Sequence, residues 1–262
     1  MKYYAYDSLE VCMKELALAS GVGNKEIMDF LYTNVKTRID FCKTIITNYS
    51  DGNFCYLLFA YDEEFAPACE SVIRDIVVDY IESIYKTNYL RTKIKNPIKD
   101  KLTFDAYIKV LSVFDKATDE SALHNIITFN QTFFVDSFLE FRLLPLKKHW
   151  DNLVELSSDN IALFNSSTFL DIIKFLINTM DSMVYKVKVV YDGEHFSIYN
   201  MKDKNDNITK LAECSSSLDL ISNVLNVCPN YIDVYLRNDE ECEAVDFLSN
   251  VYSNRLKIYI NN

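Results

Sequence analysis

Glycine occurs only four times in this chain, at positions 21, 23, 52 and 193, and no other feature constrains the fold as tightly. A loop that wraps a phosphate needs glycines at fixed spacing, because a Cβ would block the backbone's approach. The sequence holds neither a Walker loop nor a GxGxxG stretch. Proline is as scarce, with four residues, which leaves little material for low-complexity tails. Sharp reversals then fall to Asp51-Gly52 and Asp192-Gly193. The second pair joins two alternating segments, Tyr185–Tyr191 and His195–Tyr199, as a β-hairpin.

Hydrophobic period divides the chain into three blocks. In the first, 1–62, Lys2–Tyr6 is β-prone. Leu9, Met13, Leu16 and Ala17 share a helical face capped by Asp7 or Ser8. A second helix is expected over 24–48, and Phe54–Ala60 reads as a buried strand. The second block, 63–183, is helical. Ile73, Ile76, Val77, Tyr80, Ile81 and Ile84 mark a long helix ended by Pro97. Further helices are expected at about 103–117, 119–130, 133–157 and 166–183, with Pro145 interrupting the third. The last block, 184–262, reads ββ-α-β-α-β, with a polar loop over 200–210. The expected class is therefore α+β: an N-terminal α/β unit, a helical middle and a C-terminal α/β module.

Charge narrows the functions. The 27 basic and 38 acidic side chains give a net charge of −11, which repels polyanions and disfavours nucleic acid as a partner. One basic run, Lys86, Arg91, Lys93, Lys95, Lys99 and Lys101, breaks the acidity; it reads as a solvated helix end or loop, or as a docking surface for an acidic partner or an anionic membrane. Seven cysteines at 12, 42, 55, 69, 214, 228 and 242 form no CxxC pair and lie mostly among apolar neighbours, as reduced structural thiols do. Met1–Asp7 has no apolar signal core, and no run reaches membrane-spanning length. A cytoplasmic location is expected.

Candidate chemistry is sparse. The three histidines show no HxxxH or HExxH spacing, GxSxG is missing, and no cofactor is implied. Asp62-Glu63-Glu64 and Asp239-Glu240-Glu241 stand where helices begin, as macrodipole partners. Lys186 and Lys188 among the hairpin tyrosines give the one fragment with the look of a base-stacking platform. The segment that composition explains least is Phe138-Leu-Glu-Phe-Arg-Leu-Leu-Pro-Leu146. An arginine amid Phe138, Phe141 and Leu143 must snorkel, pair with a carboxylate or cap backbone carbonyls; it reads as a structural ion pair to a neighbouring helix, or as a recognition cation at a partly apolar groove.

Phe138–Leu146 resembles the F-x-x-F-R-L-x-x-Y signature of the YtxC-like sporulation proteins of endospore-forming Firmicutes, with Leu146 in place of the tyrosine. Asp79–Lys86 is similar to that family's YIxxxYE helix. Leu218–Ser222 and Cys228–Asp233 are similar to its helix-to-strand stretch. The likeness spans about 65–260 and implies a cytoplasmic protein of sporulating bacteria without an established reaction. The reading is a non-enzymatic protein that binds a protein partner, with Phe138, Phe141, Arg142, Lys93, Lys95, Lys99 and Lys101 as its contact residues. The alternatives are an enzyme assembled from scattered Cys, His and carboxylate groups, and a nucleic-acid binder using the C-terminal hairpin.

Overall fold

The computed structural model describes residues 13–39, 44–94, 100–158, 166–202, 207–237 and 242–260. It is an α+β protein in which contacts group the chain into two units, 1–85 with 117–149 and 86–116 with 150–262. Residues 1–62 fall wholly in the first unit and 184–262 wholly in the second, while the helical stretch 63–183 contributes to both.

In the first unit, β1 (Met13–Gly21), α1 (Lys25–Arg38), β2 (Thr44–Ser50), β3 (Phe54–Asp62) and α2 (Ala66–Tyr80) follow one another. A π-turn at Ile81–Tyr85 closes this part. After α5 (Lys116–Ile126) come the short strand β4 (Thr132–Phe134), the single turn α6 (Val135–Ser137) and a second π-turn, Phe138–Arg142. The sheet order is β2-β3-β1-β4, with β3 antiparallel to both neighbours and β4 parallel to β1. Leu16, Leu18, Leu57 and Phe59 are buried on the helix side, under Ile27, Leu31 and Val35 of α1 and Ile73, Ile76 and Val77 of α2.

Several expectations for this unit are corrected. Met13, Leu16 and Ala17 lie on strand β1, because pairing with β3 satisfies their backbone along the whole strand. Residues 44–48 belong to β2, so α1 is shorter than the 24–48 expected. Residues 133–134, read as the start of a helix, belong to β4 beside β1. The segment Lys2–Tyr6 lies outside the described residues.

The second unit contains α3 (Lys86–Lys93), α4 (Lys101–Val113), the end of α7 (Leu144–Ser158), α8 (Ser166–Thr179) and a mixed sheet. Its strands are β5 (Val184–Tyr191), β6 (Phe196–Lys202), β7 (Asn207–Cys214), β8 (Pro229–Leu236) and β9 (Leu256–Ile260), in the order β7-β6-β5-β8-β9. The crossover helices are α9 (Ser217–Val227) and α10 (Glu243–Tyr252), which connect parallel strands. Residues 207–210 belong to β7, so the expected ββ-α-β-α-β module has a third hairpin-side strand in place of part of the polar loop. Val187, Val189, Ile232 and Val234 are fully buried under Leu220, Ile221, Val224 and Leu248 of the helices. Helices α4, α8, α9 and α10 pack on one another over this core.

Candidate functional site

Pro145 decides the local geometry of the Phe138–Leu146 segment. It offers no N–H, and its ring crowds the carbonyl four residues back, so an α-helix cannot run through it. The Leu143 amide instead reaches Phe138 O at 3.2 Å, five residues back, and α-helical spacing resumes with Lys147 N to Leu143 O at 2.8 Å. Pro145 then stands in the first turn of α7, where its missing donor costs nothing. The wide turn splits the side chains into two sets. Phe138, Leu139 and Leu143 are buried, while Phe141, at 62% exposure, and Arg142 face outward.

Behind the turn lies an aromatic lattice. Phe138 meets Phe133 at 5.1 Å between ring centroids, and Phe133 meets Phe129 at 5.2 Å. Phe134, on the other side of β4, packs edge-on against Phe54 at 5.7 Å. Thr128, Asn130, Phe134, Phe138, Phe141 and Arg142 border an open hollow of about 340 Å³. Asp136 anchors the start of the segment. Its carboxylate accepts from Ser20 Oγ and Asn24 Nδ2 at 2.9 Å each and from the Gly21 amide at 2.5 Å.

Two arginines near this lattice behave differently. Arg74 donates from Nε to Ile127 O at 3.1 Å and lies over the Phe129 ring, so it serves the fold. Arg142 forms no ion pair or hydrogen bond with a described residue, and the carboxylate partner expected for it on a neighbouring helix is not there. A guanidinium beside an apolar hollow can take a carboxylate bidentately while the rings take an apolar side chain.

The basic run belongs to the second unit, and Phe138, Phe141 and Arg142 belong to the first; most of the run's described members are engaged within the second unit. Lys86 is fully buried, donating to Phe114 O at 3.2 Å with its ammonium 5.7 Å from the Trp150 ring, which corrects its reading as a solvated residue. Arg91 pairs with buried Asp105 at 2.5 Å, and Lys93 pairs with Asp151 at 3.0 Å while lying over the Tyr89 ring. Hydrogen bonds to Asp151 and Tyr89 raise the Lys93 pKa above its ordinary value. Lys101 is exposed at the start of α4, and Lys95 and Lys99 lie outside the described residues.

The groups an enzyme reading would use are dispersed. His124 approaches Asp75 only at 3.8 Å, and His149 and His195 are exposed. Cys55, Cys69, Cys214, Cys228 and Cys242 form no disulfide among the described residues, and burial pushes the thiols of Cys214 and Cys228 up, away from the thiolate. Among the described residues no group of three His, Cys, Asp or Glu side chains is placed to hold a metal ion. Likewise, no described helix is long and apolar enough to cross a membrane.

One surface escaped the sequence reading. Ile45, Tyr49, Tyr56 and Leu58 line a hollow of about 510 Å³ on the sheet face of the first unit opposite its helices, with Tyr49 and Tyr56 stacked at 4.7 Å. The alternation of Ile45, Thr47 and Tyr49 was the available signal, masked by reading 44–48 as helix.

A family model described as the YtxC-like family matches residues 68–257, a range that takes in both π-turns. No curated protein and no solved structure matches the chain.

Proposed function

The chain belongs to the YtxC-like family, and from that membership we propose that it serves sporulation as a non-enzymatic protein that binds another protein through the Phe138–Arg142 turn. The observation that carries this reading is the pairing of an exposed phenylalanine with an arginine that no described carboxylate neutralises, both at the rim of an aromatic hollow. The partner chemistry that fits is an extended segment presenting a carboxylate next to an apolar side chain. Two of the stretches that resemble the family's motifs, Asp79–Lys86 and Phe138–Leu146, contain a π-turn, a geometry that recurs at functional positions because it turns side chains out of the helical register. The competing enzymatic reading would need an activated thiol or paired carboxylates. Burial acts on Cys214 and Cys228 in the opposite direction.

Affinity capture with cross-linking from sporulating cells tests the proposal, using the wild type beside Arg142→Ala and Phe141→Ala. Both side chains are exposed, so circular dichroism and thermal melting should show native-like variants. The expected outcome is one protein captured by the wild type and depleted at least tenfold with each folded variant, on the scale of an interface anchor. Equal yields from all three baits, or no enriched protein, would overturn the reading.

A further inference from the structure

The sheet of the second unit buries one face under its helices and leaves the other open. Along β5 and β8 the residues that alternate with buried Val187, Val189, Ile232 and Val234 are Lys186 and Lys188, then Tyr231, Asp233 and Tyr235, of which Asp233 is itself buried; on the edge strand β9, where Ile258 and Ile260 are exposed, Lys257 and Tyr259 continue the row. Register places them side by side: Lys186 opposite Tyr231, Lys188 opposite Asp233, Asp233 opposite Lys257, and Tyr235 opposite Tyr259. The Tyr235 and Tyr259 rings stack at 4.8 Å with 15° between their planes, and the Lys188 ammonium stands 4.4 Å from the Tyr235 centroid. Asp233 is the carboxylate among them and holds Lys186 at 2.5 Å. Tyr231 is 44% exposed and Tyr259 38%. In a chain of net charge −11, three lysines thus gather around three tyrosines with one acidic neighbour.

We propose that this open sheet face binds single-stranded nucleic acid, with bases stacking on Tyr231 and Tyr259 and phosphates meeting Lys186, Lys188 and Lys257. The surface is built from residues other than those of the Phe138–Arg142 turn and does not depend on the reading given to it. Aromatic rings on a sheet accept unpaired bases because every base has a stacking face, and interleaved cations track the backbone. Lys186 and Lys188, two residues apart on one strand, are separated by about 6.6 Å. That spacing corresponds to two stacked nucleotides at roughly 3.4 Å each. A duplex hides its base faces and gains only the charge. An acidic polypeptide would use the lysines and leave the rings idle.

Fluorescence anisotropy on the full chain tests this, with labelled oligo-dT and oligo-U of about 12 nucleotides, a length within the range one small single-strand-binding domain covers. Saturable binding at about 50 mM salt is expected, with a log–log salt slope of roughly −2 for three neutralised phosphates. Lys188→Gln with Lys257→Gln should weaken binding at least tenfold and flatten the slope. Tyr259→Ala, on an edge strand, should weaken it severalfold at unchanged slope. Folding of each variant is checked by thermal melting. No saturable binding at low salt, wild-type affinity in the folded lysine variant, equal binding of a duplex of the same length, or equal competition by polyglutamate would each overturn the proposal.

Discussion

Asp136 joins the end of β1, the start of α1 and the turn that carries Arg142, through contacts 112 to 116 residues apart in sequence. A Cβ on Gly21 would stand 3.3 Å from its Oδ2, so the glycine there permits a close approach. Nothing local in the sequence marks this contact, because the partners meet only when β4 docks against β1. Asp136→Ala strands the Gly21 amide and the Ser20 hydroxyl, which is 1% exposed. It should cost roughly 2–4 kcal/mol, the range for losing a charged acceptor with several donors. Asp136→Asn should cost less. Denaturant melts measure both, and a loss below about 0.5 kcal/mol for the alanine variant would remove Asp136 from any structural role. The case of Lys86 is the reverse. A lysine in a basic run reads as a surface residue, yet its carbon stem reaches a carbonyl inside the second unit.

At the scale of elements, the two Asp-Gly turns were legible because they depend on four residues and nothing else. Gly52 and Gly193 take φ values of +92° and +107°. In each turn one carboxylate oxygen accepts two amides: Asp51 from Asn53 and Phe54, Asp192 from Glu194 and His195. These bonds hold both carboxyls below their ordinary value of 3.8. A folded pKa lower than the unfolded one means support that is complete above pH 3.8 and fades as pH falls through the lower folded value. Carbon-detected NMR titration should therefore find Asp51 and Asp192 ionised below pH 3.8, and ordinary carboxyl titration at either would contradict the turn geometry. The strands that were misread are those whose identity depends on neighbours. Met13, Leu16 and Ala17 fit a helical face as well as a strand, and only the nine-residue ladder with β3 decides. Strand β7 is mostly exposed, and its first half, Asn207–Lys210, continues the polar run that precedes it, so it reads as loop. The break at Pro145 was readable; the wide turn before it, which aims Phe141 and Arg142 outward, was not, because helical periodicity has no separate signature for a five-residue turn.

For the whole molecule, the decisive property is that neither unit is continuous. The chain passes between them at 85/86, 116/117 and 149/150. Period changes in the sequence mark where strands give way to helices, and they carry no information on which unit a helix joins. The module expected over 184–262 lacks α4 and α8, which pack against α9 and α10. Expressed alone, that fragment should show helix and strand by far-UV circular dichroism without a cooperative melt, and should bind a hydrophobic dye. A polypeptide linking 86–116 to 150–262 should melt cooperatively. A sharp melt of 184–262 by itself would show that its sheet needs no helices from earlier in the chain.

The same discontinuity sets an order of events during synthesis. Strand β1 waits for β4, and α4 emerges from the ribosome about a hundred residues ahead of α9. At roughly 5–20 residues per second the apolar flank of α4, with Tyr107 and Leu111, stands without its final neighbour for about 5–20 s. For that interval the nascent chain presents a helix ready to be held by a chaperone or by another ribosome's product, and translation speed between those two helices becomes a determinant of yield.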